Sequence, residues 1–109
     1  MAPEPRIELL WWQGCPSWER ALARLRETTA ELGLDPDAIE VREIDTAEAA
    51  EREEFVGSPT IRIDGEDVQP PGADEPAGLT CRIYRRRDGG LSPLPDPEDL
   101  REALASARA

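Results

Sequence analysis

Residues 6–12 (RIELLWW) form a short, nearly continuous apolar run, the pattern of a strand covered on both faces. Gln13-Gly14-Cys15-Pro16 ends it abruptly. Pro16 suits the first turn of a helix, where its missing N–H costs nothing. Beyond it, Trp18, Leu22, Leu25, Thr29 and Leu32 stand at offsets 0, 4, 7, 11 and 14. They mark one face of a helix of about four turns, with Arg20, Arg24, Glu27 and Glu31 largely on the others. Gly33 supplies a C-cap, and Asp35-Pro36 closes the segment.

Residues 39–44 (IEVREI) are β-branched and alternate at first, which predicts a second strand. Two strands joined through a helix make a parallel βαβ unit. Asp45 and Glu48 have capping-box spacing, with Asp in place of Ser or Thr, and open an Ala- and Glu-rich helix from Thr46 to about Phe55. Gly57 ends it. Residues 59–63 (PTIRI) read as a third strand that begins at a proline, and Asp64-Gly65 turns it. Residues 66–80, with three Pro and two Gly, read as a long irregular loop. Residues 81–85 (CRIYR) alternate again and predict a fourth strand, which Asp88-Gly89-Gly90 stops. Asp96-Pro97-Glu98-Asp99 starts a last helix, with Leu100, Ala103, Leu104 and Ala107 as its apolar stripe. The order is β-α-β-α-β-β-α, without internal repeat. Residues 1–5 are expected to be disordered, and 6–107 to form a single domain with the long loop at 66–80.

The composition narrows the chemistry. The chain of 109 residues is sized for one small domain. It carries 13 basic against 24 acidic residues, and all the basic ones are Arg. With no His, it can build no Ser-His or Cys-His dyad and no His-ligated zinc or haem. Without Lys, there is neither a Schiff-base nucleophile nor a Walker lysine. A net charge of −11 argues against nonspecific nucleic-acid or anionic-membrane partners. No apolar run approaches the roughly 20 residues of a membrane span. The first residues, Met1-Ala2-Pro3-Glu4-Pro5, hold no basic region and no long apolar stretch, so no secretory signal is expected. Two cysteines are too few for a disulfide scaffold. A cytoplasmic setting with free thiols is therefore expected.

Cys15 lies where a strand gives way to a helix. The thiolate is the reactive form of cysteine, and a helix N-terminus stabilises it. Two readings follow: an activated thiol, or a cysteine that simply ends a strand. Gly57-Ser58-Pro59-Thr60 opens a strand directly after a helix, and the Ser58–Pro59 bond is either an ordinary trans peptide or a cis one beside the neighbouring loop.

Together these segments resemble the thioredoxin fold: RIELLWW, then Gly14-Cys15-Pro16, then Gly57-Ser58-Pro59-Thr60 before IRIDGE. The resemblance spans about residues 5–107. It implies a four-stranded mixed sheet of order 2-1-3-4, a cis Pro59 against the active-site cysteine, and Cys15 as the nucleophile. It further implies a thiol-dependent oxidoreductase or transferase acting on a small thiol or a protein thiol, with no cofactor and no metal. Trp12, Pro16, Ser58, Pro59, Thr60 and Arg82 are the expected substrate-binding residues. The family's redox motif is C-x-x-C, whereas this chain reads Cys15-Pro16-Ser17-Trp18 and has Trp in the resolving position. Trp18 also opens the apolar stripe, which assigns it to packing. The combination with Gly-Leu-Thr-Cys-Arg-Ile-Tyr at 78–84 is similar to small actinobacterial thioredoxin-like or alkylmercury-lyase-like proteins. The alternative function is a non-enzymatic module that binds a thiol, a peptide or a soft, mercury-type metal.

Cys81 keeps two readings. It is a remote resolving thiol or second soft ligand if the 66–80 loop returns toward Cys15, and a buried small hydrophobe if the loop stays local. Arg82, Arg85, Arg86 and Arg87 are the one concentration of positive charge, either an anion site or a solvated edge strand.

Overall fold

In the computed structural model, which describes residues 4–108, the apolar run becomes β1 (Ile7–Trp11), an inner strand of the sheet. Residues 1–3 of the expected disordered segment lie outside the described residues. A parallel pairing joins β1 to β2 (Glu40–Glu43), and an antiparallel one joins it to β3 (Thr60–Ile63). With β4 (Glu66–Asp67) against β3, the mixed sheet has the order β2-β1-β3-β4.

Both faces of β1 are covered, as its unbroken apolar pattern demands. Ile7 and Leu9 join Ile61 and Ile63 under α1 (Trp18–Glu31) and α3 (Pro97–Arg108), which contribute Leu22, Leu25, Leu100 and Leu104. On the other face, Leu10 packs with Ile44, Phe55 and Ala50 of α2 (Ala47–Arg52). Glu8 shares that second face and is 3% exposed. Its carboxylate meets Arg42 at 2.7 Å, and Arg42 and Arg62 share Glu53 beyond it. Pairing of this kind offsets the cost of taking the carboxylate out of water.

Several boundaries shift for local reasons. Helix α1 starts at Trp18, so Pro16 stands outside it instead of in its first turn. Trp18 stacks on Trp11 with ring centroids 4.2 Å apart, which fixes it as a packing residue. Thr46, not Asp45, caps α2: its Oγ1 accepts the Ala49 N–H at 3.0 Å. For α3 the expected start holds, with Asp96 Oδ1 accepting the Glu98 N–H at 2.9 Å.

The main correction concerns the fourth strand. The sheet's fourth position is taken by Glu66–Asp67, inside the segment expected to be irregular. Asp64 and Gly65 both have positive φ, 52° and 82°, and close a two-residue hairpin that folds β4 straight back onto β3. Residues 81–85 do not join this sheet. Cys81 instead makes an isolated parallel bridge to Ser58, and β5 (Tyr84–Arg85) pairs with β6 (Leu91–Ser92) as a separate two-stranded sheet. Among the described residues no helix is long and apolar enough to cross a membrane.

Candidate active site

The strand-to-helix turn after β1 is closed by the Cys15 N–H, which donates to the Trp12 carbonyl at 3.1 Å. The Trp12 ring lies against Gly14 so closely that a Cβ there would stand 2.3 Å from its Cη2. Cys15 itself is 2% exposed, while Gln13, Gly14 and Pro16 around it are exposed. It stands two residues before Ser17, the N-cap of α1. Its thiol donates to a carbonyl, that of Ser58, at 3.4 Å.

Ser58 is the junction of the site. It is fully buried, and its bond to Pro59 is cis. The Ser58 Oγ accepts the Trp12 N–H at 3.0 Å. The Ser58 N–H donates to the Thr80 carbonyl at 2.8 Å, and the Ser58 carbonyl also accepts the Arg82 N–H at 2.9 Å. One serine therefore fixes the turn that carries Cys15 and the bridge that carries Cys81. The long loop does return, and it delivers the second cysteine to the first.

The two thiols are free, Cys15 buried and Cys81 exposed. Cys81 is thus not the buried small hydrophobe that was the other reading. Hydrogen bonding with the Cys15 thiol, then partial burial and the Cys15 charge, push Cys81 from an ordinary 9.0 up to about 11. At neutral pH Cys81 therefore keeps its proton.

Arg82, expected to bind substrate, is an internal strut. Its side chain is 5% exposed and its guanidinium grips Asp67 with two bonds, of 2.6 and 2.9 Å. It further donates to the Gln69 carbonyl and to Thr60 Oγ1, and it lies 4.4 Å from the Tyr84 ring centroid. Tyr84 is fully buried, and its hydroxyl donates to the Pro59 carbonyl at 2.6 Å. Burial pushes that hydroxyl's pKa up, so it stays a donor. Gly57 permits the close packing: its φ is +151°, and a Cβ would meet Arg82 Cα and N at 3.0 Å.

Of the expected substrate-binding residues, Ser58, Pro59, Thr60 and Arg82 are buried, with their polar groups used within the fold. They frame the thiols from beneath. Trp12 is half-buried and Pro16 exposed, beside Cys15. The residues that complete the frame, Asp67, Gln69 and Tyr84, were not singled out from sequence. The one available signal was the Asp64-Gly65 turn, which sets Asp67 opposite Arg62 on β3. No group of three or more Cys, Asp or Glu side chains suited to a metal gathers among the described residues. Compared with known proteins, the chain matches no family model and no curated sequence.

Proposed function

We propose that the chain is a thioredoxin-like thiol–disulfide oxidoreductase whose redox pair is Cys15 and Cys81, acting in the cytoplasm on a small thiol or a protein thiol. The observation that carries this reading is the convergence of two free thiols, far apart in sequence, on Ser58, whose carbonyl meets the Cys15 thiol and whose backbone bridges Cys81. The strand–turn–cysteine–helix start, the cis Ser58–Pro59 bond and the sheet order support the fold resemblance.

The chemistry follows from what raises the Cys81 pKa. The Cys15 thiolate attacks one sulfur of a substrate disulfide, forming a mixed disulfide and expelling the other sulfur as a thiolate. The Cys15 charge and hydrogen bond, which hold Cys81 protonated, are consumed in that step. Cys81 then gives up its proton to the departed thiolate and attacks Cys15 Sγ. The Cys15–Cys81 disulfide forms, the second substrate thiolate leaves and takes the Cys15 proton from solvent, and two electrons have passed to the substrate. A dithiol reductant returns the pair to its starting state.

Single turnover with a small aromatic disulfide tests this. The wild-type protein releases two aromatic thiols per chain, and Cys81→Ser releases one and stays as the mixed disulfide. Two thiols from Cys81→Ser, or unchanged turnover by Cys15→Ser, contradicts the assignment. A second reading is favoured by the same thiol contact: two thiolates suit a two-coordinate soft cation. Tight, stoichiometric binding of such a cation with no disulfide exchange selects that reading.

A further inference from the structure

The segment that delivers Cys81, residues 81–85, alternates strictly between exposed and buried. Arg82 and Tyr84 point into the protein, while Cys81, Ile83 and Arg85 are exposed on the other side. Ile83 is 63% exposed, and Leu91, paired with Arg85 across the β5–β6 hairpin, is 71% exposed. These are the two most exposed large apolar residues described. They line a cleft of about 490 Å³ with Pro70, Pro71, Arg85 and Arg86.

The charged residues that line the cleft are Arg82, Arg85, Arg86 and Arg87 against one acid, Glu75. Arg82 is spent on Asp67, Arg86 on Asp88, and Arg87 on Asp99 and Glu102. Arg85 makes no ion pair among the described residues, although Glu75 also lines the cleft. In a chain of net charge −11, this is a local cationic spot beside two bare aliphatic side chains. Strand addition is blocked here, because the Gln69 side-chain amide bonds both the N–H and the carbonyl of Arg85, each at 2.9 Å.

We infer that Cys81, Ile83 and Arg85 form a docking row for an extended, acidic segment of a protein substrate, read through side chains. Successive positions on the row are about 7 Å apart, the advance of two strand residues. An extended partner whose cysteine meets the thiol pair would set an aliphatic residue two positions along against Ile83, with Leu91 beside Arg85 at the next position. A carboxylate four positions along would meet Arg85. This inference rests on the redox reading of the pair, and it names the substrate class for that site.

The test uses peptides without cysteine, so it does not depend on the redox chemistry. The probes are fluorescent Ser-Gly-Leu-Gly-Asp and the same peptide with Lys for Asp, in both chain directions, with anisotropy as the readout at low salt. The acidic peptide should bind the wild-type protein about five-fold more tightly, and added salt should erase the difference. Arg85→Glu should reverse the preference, its binding of the Lys peptide showing that the variant is folded. Equal binding of both peptides, a preference that Arg85→Glu leaves in place, or a dimer of this chain that Arg85→Glu dissolves overturns the docking row. A failure of the redox reading is seen separately, as an oxidised protein without a Cys15–Cys81 link.

Discussion

Cys81 is the exposed member of the thiol pair, yet its pKa, pushed up to about 11, leaves little thiolate on it near neutral pH. The first prediction belongs to this residue. Alkylation of Cys81, followed by peptide mass, should titrate with a midpoint near 11. In Cys15→Ala the leading cause of the shift is gone, so the midpoint should fall toward the ordinary value of 9.0. A midpoint that does not move in Cys15→Ala separates the two thiols and removes the basis of the pair. Arg82 carries the second prediction. Removing its partner with Asp67→Ala leaves a guanidinium unpaired at 5% exposure, a loss of about 3–5 kcal/mol for a buried ion pair. Urea unfolding measures it, and a loss below about 1 kcal/mol, the scale of a surface pair, would show that Arg82 is solvated in solution. From sequence Arg82 is one of four arginines that read as an anion site or a solvated edge strand, and an expected substrate-binding residue. Its burial depends on Asp67 and Gln69 arriving from the segment before it, a nonlocal event that periodicity does not encode.

At the level of elements, the long strands and helices were legible because each carries its own period. Strand β1 shows an apolar run because helices cover both its faces, and α1 shows a helical stripe because one side meets the sheet. Strand β4 was missed for the complementary reason. Glu66 and Asp67 are two polar residues with no apolar alternation, held by the turn before them and not by their own side chains. The Cys15 site was legible as a cysteine before a helix, but its thiol is met by the Ser58 carbonyl and Cys81, partners set by tertiary contacts. The close approach of the Gly57 segment to Arg82 gives the element-scale prediction. Gly57→Ala forces a Cβ to within 3.0 Å of Arg82 backbone atoms, which cannot swing aside. Overpacking of this kind costs about 1–3 kcal/mol. The variant should also form the Cys15–Cys81 link more slowly, because Arg82 is the residue next to Cys81. A variant as stable as the wild type, with unchanged link formation, would contradict the packing described here.

The whole molecule is acidic, but its reduced form should owe its alkaline limit in part to one thiol. Cys81 holds its proton more tightly folded, at about 11, than at its ordinary 9.0. A raised folded-state value contributes stability that is fully present below pH 9.0 and is lost as the pH rises through about 11. Reduced wild-type protein should therefore lose stability across that window more steeply than Cys81→Ser does. Parallel curves for the two would show that the thiol's proton is not coupled to folding.

The central claim, that a chain without C-x-x-C builds its redox pair from Cys15 and Cys81, is tested most directly by oxidising the protein with a small disulfide and mapping its peptides without reduction. The structure predicts a monomer about 2 Da lighter than the reduced chain, with no alkylatable thiol and a single linked peptide pair joining Cys15 to Cys81. Adducts of the small disulfide on Cys81 with Cys15 still free, or dimers joined through either cysteine, would contradict it.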